Sequence, residues 1–136
     1  MKDSSPTTHP TPAGVFVTLD KLTYAYHLIR DMPERPHMFT YHLTIHNQSS
    51  RTIAILARKW VLRYGDGEVD VIEGDKVIGK TPELAPGKTF SYASFHLVAR
   101  NALVEGAFHG VDDEGNQIHV PIPPFQLEIP GKTACD

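Results

Sequence analysis

Apolar residues recur at every second position through much of the chain, and the places where that alternation fails mark its turns. Val15, Val17 and Leu19 alternate with other residues, and Leu22, Tyr24, Tyr26 and Leu28 do so in the opposite phase. A phase change within one long strand predicts a bulge or bend near Asp20. Asp31 to Pro36 holds two prolines and reads as a loop. Phe39, Tyr41, Leu43 and Ile45 then alternate with Thr40, His42, Thr44 and His46, the pattern of a strand with one wet face. Asn47 to Ser50 is a turn cluster. Thr52 to Leu62 is mostly apolar and rich in β-branched residues, which suits a central strand.

Beyond it, Gly65-Asp66-Gly67 predicts a hairpin turn. Val69, Val71 and then Val77, Ile78 read as short strand fragments around Gly74. Pro86-Gly87 is a turn pair, and Phe90, Tyr92 and Ser94 face one way on the strand that follows. Leu103 to Asp112 and Gln117 to Leu127 form a final hairpin around Asp113 to Asn116. Pro121, Pro123 and Pro124 lack amide donors, so the last strand belongs at an edge or pairs on one side only. No stretch keeps a helical period free of glycine and proline. The pattern predicts an all-β fold, an antiparallel β-sandwich of about seven strands.

The length of 136 residues suits one domain, placed at 14–130. Residues 1–13 carry three prolines among mostly Ser and Thr and read as a disordered leader, and 131–136 read as a loose tail. The balance of 13 basic and 16 acidic residues gives −3, too even to draw the protein to nucleic acid. Cys135 is the single cysteine, so no internal disulfide is expected. No signal-like apolar region and no membrane-length run stands out, and the expected location is the cytoplasm, away from any membrane.

Six phrases, taken in order, carry a resemblance: Phe39-Thr-Tyr-His-Leu-Thr-Ile-His-Asn47-Gln-Ser49; Leu56-Ala-Arg58-Lys-Trp60; Gly74 to Gly79 with Pro82 following; Leu84-Ala-Pro86-Gly87 running to Ser94; Glu105-Gly106 with Phe108; and Ile122-Pro123-Pro-Phe125-Gln-Leu127. Over roughly residues 15 to 129 the chain resembles the ApaG family, also called CorD. The resemblance implies a sandwich of the fibronectin type III or immunoglobulin kind. It also implies a link to cobalt tolerance and magnesium efflux, and a gene neighbourhood with a diadenosine-tetraphosphate hydrolase. In eukaryotes the same domain is appended to an F-box ubiquitin-ligase subunit, where it looks like a protein-interaction module. No settled enzymatic activity comes with the family.

Against that background the candidate residues divide into few groups. The family often has a Gly-x-Gly-x-x-Gly loop for which pyrophosphate binding has been suggested. Here the segment is Gly74-Asp75-Lys76-Val77-Ile78-Gly79, with Lys76 replacing the middle glycine. Gly74, Lys76, Gly79 and Lys80 are the candidate anion-binding residues; the rival reading is a twisted turn that needs two glycines. Arg58 and Trp60 share a strand face and could form a recognition pair, although core packing is the stronger reading for Trp60. Phe95 to Ala102 departs from the family pattern and reads as a loop, where a sandwich carries specificity, which brings Phe95, His96 and Arg100 in as candidate partner-binding residues beside Arg58 and Trp60.

His42 and His46 lie about 13 Å apart along a strand and cannot chelate one metal as a pair. A metal site would need His96, His109 or His119 as partners, and none is assigned. Cys135, Ser94 and Asp112-Asp113 sit in contexts that do not activate a nucleophile or an acid, so no catalytic residue and no cofactor is expected. The expected function is a non-enzymatic binding module with an unidentified protein partner. The alternative is a small-ligand sensor that binds a phosphate or pyrophosphate anion or a divalent cation.

Overall fold

The alternation in His37–Asn47 places Phe39, Tyr41, Leu43 and Ile45 on one buried face, and this strand becomes the middle of a three-stranded sheet. The computed structural model describes residues 9–26 and 32–131. Eight strands follow in order: β1 Val15–Tyr26, β2 His37–Asn47, β3 Ile53–Tyr64, β4 Val69–Asp75, β5 Glu83–Leu84, β6 Thr89–Val98, β7 Ala102–Asp112 and β8 Gln117–Leu127. One sheet has the order β1-β2-β6; the other has β4-β3-β7-β8, with the short β5 paired to β3. All pairings are antiparallel, and the two sheets pack as a sandwich.

Bulges set which residues reach the core. In β1 the register slips between Leu19 and Lys21, so Asp20 is the extra residue, where the phase change predicted it. In β3 the slip between Ile55 and Ala57 leaves Leu56 outside the ladder. Ile53 and Ile55 precede it on the inner face, and Trp60, Leu62 and Tyr64 follow in the opposite phase. In β8, Ile118, Val120 and Ile122 are buried before Pro123-Pro124, and Phe125 and Leu127 after it. The extra residue opposite Val104 and Gly106 makes that switch. These side chains, with β2, Val104 and Phe108, form one continuous core.

A buried polar side chain locks the rim. Asn47 donates from Nδ2 to the carbonyls of Arg51 and Leu84, each at 2.8 Å, and accepts at Oδ1 from Ser49. Its polar atoms are therefore partnered out of water, and the β2–β3 turn is tied to β5.

Three expectations change. Val77 and Ile78 are not a strand: they belong to a tight turn in which Val77 and Lys80 bridge. Phe95 to Val98 are not a loop but the end of β6, paired along β2, and only residues 99–101 connect β6 to β7. The leader was expected to be loose to Ala13, yet Pro10 accepts a hydrogen bond from the His119 amide at 3.0 Å and Thr11 Oγ1 donates to the His119 carbonyl. Those contacts run along the edge position of β8 that its prolines predicted. Residues 1–8, Leu28 and all but the first residue of the expected tail lie outside the described residues, Cys135 among them. Among the described residues no helix is long and apolar enough to cross a membrane.

Candidate functional site

The glycine-bracketed segment Gly74 to Lys80 turns sharply at the end of β4. Lys76 (φ 71°), Ile78 (φ 47°) and Gly79 (φ 79°) all lie in the left-handed region. The Lys76 amide donates to the Leu56 carbonyl at 2.7 Å, Val77 to Lys80 at 2.7 Å, and Lys80 to Val77 at 2.9 Å. A phosphate cradle needs such amides free and converging; here these three are spent on β3 and on the turn itself, and no helix follows to add its dipole. Gly74 has a different task. A Cβ there would stand 2.9 Å from Arg58 Nη1, so the missing side chain is what lets the guanidinium pass.

Arg58 uses that passage to hold the turn from within, donating from Nη1 to the carbonyls of Asp75 at 2.8 Å and Lys76 at 2.9 Å. Trp60, two residues on, is 2 % exposed and sits in the core against Tyr41. His96 is buried too, 4.9 Å from both the Tyr41 and Trp60 ring centres. Its Nε2 has no hydrogen-bond partner among the described residues, and burial lowers its pKa to about 4. Arg100 bonds to Asp66 at 3.0 Å and Glu68 at 2.6 Å, with its guanidinium 4.1 Å above the Tyr64 ring. It fastens the β6–β7 hairpin to the β3–β4 hairpin.

The residues grouped as a partner surface are therefore not one surface. Trp60 and His96 lie in the core because their positions in β3 and β6 point between the sheets. Arg58 and Arg100 are held by internal partners. Phe95 alone, on the outer face of β6, is 53 % exposed.

Two surface features that sequence reasoning did not single out now stand out. The first is β4, the terminal strand of its sheet, where Val69, Val71 and Ile72 are 44 %, 55 % and 40 % exposed. The signal was a short Val-Asp-Val-Ile run just after a glycine hairpin; what it lacked was the strand order that puts this run at an edge. The second is a groove of about 300 Å³ on the outer face of β3, β7 and β8, lined by His9, Lys59, Ala107, His109 and His119. His109 and His119 are direct register partners with ring centres 5.2 Å apart. Burial and the neighbouring His119, Lys59 and His9 charges lower the His109 pKa, while Glu73 opposes them. Among the described residues no three His, Cys, Asp or Glu side chains are placed to hold a metal ion. His42 and His46 lie on the outer face of β2, on the opposite sheet from His109 and His119.

Comparison with known proteins agrees with this architecture. The family model described as the ApaG domain matches residues 30–112. Protein ApaG of Deinococcus radiodurans is 37 % identical over 105 residues, spanning 76 % of this chain and 82 % of that protein. Protein ApaG of Methylocella silvestris is 36 % identical over 93 residues, spanning 68 % and 72 %. A crystal structure of an ApaA protein from Bordetella pertussis superimposes with a TM-score of 0.75 at 28 % identity, covering 90 % of this chain and 98 % of that one. A second X-ray structure, at 23 % identity and a TM-score of 0.77 over 89 % of this chain and 91 % of the other, shares the fold. The fold, the order of the sequence phrases and the matched span together place the chain in the ApaG family.

Proposed function

We propose that this domain is a non-enzymatic, cytoplasmic binding module that captures an extended segment of a partner protein along β4. The observation that carries the reading is the exposed apolar pair Val69 and Val71 on the outer face of a strand that ends its sheet, with Ile72 exposed on the other face. A terminal strand presents backbone donors and acceptors on its open side, and a partner strand that pairs with them gains ladder hydrogen bonds and side-chain contact at once. Glu73 and Asp75 continue the outer face of β4 beyond the valines. The complementary segment is therefore apolar, with basic residues toward the end that meets Glu73 and Asp75.

Affinity capture with the full chain tests this. Val69→Lys with Val71→Lys places two charges on the edge while leaving the core untouched. The double variant should melt like the parent and lose the captured protein. A partner held equally well by the double variant would contradict docking at β4.

A further inference from the structure

The outer-face groove offers a different chemistry. We infer that it is a binding site for a small phosphate-class oxyanion, held by His9, Lys59, His109 and His119. The inference is independent of docking at β4.

The groove follows from register and from small side chains. Antiparallel pairing of β7 and β8 sets His109 directly opposite His119, and Lys59 on β3 pairs with Ala107 on the same face. Ala107 fills little space between them, which leaves the depression open. The N-terminal segment completes it: the bonds from Pro10 and Thr11 to the His119 backbone bring His9 to the rim. Four basic side chains line the groove and no carboxylate does. Its volume, about 300 Å³, is at the small end for a ligand site.

The charges around His109 set the sign. His119 faces it from β8, Lys59 from β3 and His9 from the N-terminal segment; Glu73 on β4 acts in the opposite direction. Glu73 pairs with Lys59 at 3.4 Å, and Glu73 and Asp75 line an adjoining depression on the β4 side that shares Lys59 and His109 with the groove. In the empty groove each added proton meets like charges. A bound phosphate anion offsets that repulsion, and its unprotonated oxygens accept from protonated imidazoles and the lysine ammonium. Binding of the anion and binding of protons therefore reinforce one another. A cation would meet the same Lys59 charge, without three converging ligands.

The test is a titration of the full chain with inorganic phosphate at about pH 6 and about pH 8, followed by NMR of the histidine rings, a pH range that spans ordinary histidine protonation. Saturable shifts of His109 and His119 at the lower pH, with affinity weakened about tenfold or more at the higher, are expected. His119→Gln and, separately, Lys59→Gln should weaken binding by about tenfold while the fold still melts cooperatively. Lys76→Gln should leave it unchanged. An ATP arm identifies the source of the phosphoryl group: tighter binding than phosphate, equally sensitive to His119→Gln, would assign it to a nucleotide, and equal or weaker binding to the free anion. Absence of saturable shifts at the lower pH would overturn the site. So would shifts that survive both groove variants or disappear with Lys76→Gln.

Discussion

Gly106 on β7 lies directly under the Trp60 ring: a Cβ at position 106 would stand 2.7 Å from Trp60 Cε3 and 2.9 Å from the Lys59 carbonyl oxygen. The glycine and the tryptophan are direct register partners across β3 and β7, so one side chain occupies space the other position leaves empty. Gly106→Ala should cost about 1–3 kcal/mol by overpacking, and Trp60→Ala about 3–5 kcal/mol by leaving a cavity. Chemical denaturation measures both. A near-neutral Trp60→Ala would mean that the ring does not anchor the core.

His96 gives the fold an acid-sensitive point. Burial lowers its pKa from 6.5 to about 4, so the folded state favours the neutral ring. The unfolded chain binds the proton more readily. This contribution to stability is complete above about pH 6.5 and declines as the pH falls through the window to about 4, by about 3 kcal/mol in all. His96→Leu should flatten the stability profile across that window. A profile with the same slope in the variant would show that other groups cause the acid loss.

The turn after β4 carries strain that glycine would relieve. Lys76 and Ile78 hold φ values of 71° and 47°, and Ile78 is β-branched. Lys76→Gly accepts that conformation without a Cβ and should raise stability, by up to about 1 kcal/mol after the entropy of the freer unfolded chain is subtracted. Ile78→Gly should act in the same direction. A lower melting temperature for both would mean that their side chains contribute more than the backbone conformation costs.

The N-terminal segment contributes at the opposite edge of the same sheet. Removing residues 1–8 and removing residues 1–13 isolate the part that reaches β8. The second truncation should cost about 1–2 kcal/mol relative to the first, since it deletes the Pro10 and Thr11 bonds to His119. Equal melting of the two would show that these bonds add nothing to stability.

The sandwich was legible because β2 and the first half of β1 alternate cleanly, and because Asp20 and the β8 prolines interrupt the pattern in ways with a definite physical meaning. Trp60 in the core followed from the same logic. Phe95 to Val98 hid in β6 because Phe95 and Leu97 are apolar on the outer face, which erases the alternation. Arg58 shared Trp60's face as the sequence implied, but its inward bonds to Asp75 and Lys76 depend on Gly74, its direct partner on β4, and that pairing joins residues far apart in sequence. His109 and His119 are equidistant from Glu114 in the last hairpin, so their meeting could have been read from the turn. The position of β4 at an edge could not, because strand order depends on which long-range pairings win. Composition alone also concealed the bonds of Pro10 and Thr11, which use a backbone carbonyl and a hydroxyl.

Native-state hydrogen–deuterium exchange of the full chain tests the docking account most directly. An open edge leaves alternate amides of Val69–Asp75 facing solvent, so these should exchange far faster than the amides of β3 and β7, which pair on both sides. Uniform protection along β4, equal to that of β3, would mean that the edge is already covered and would contradict capture of a partner strand there.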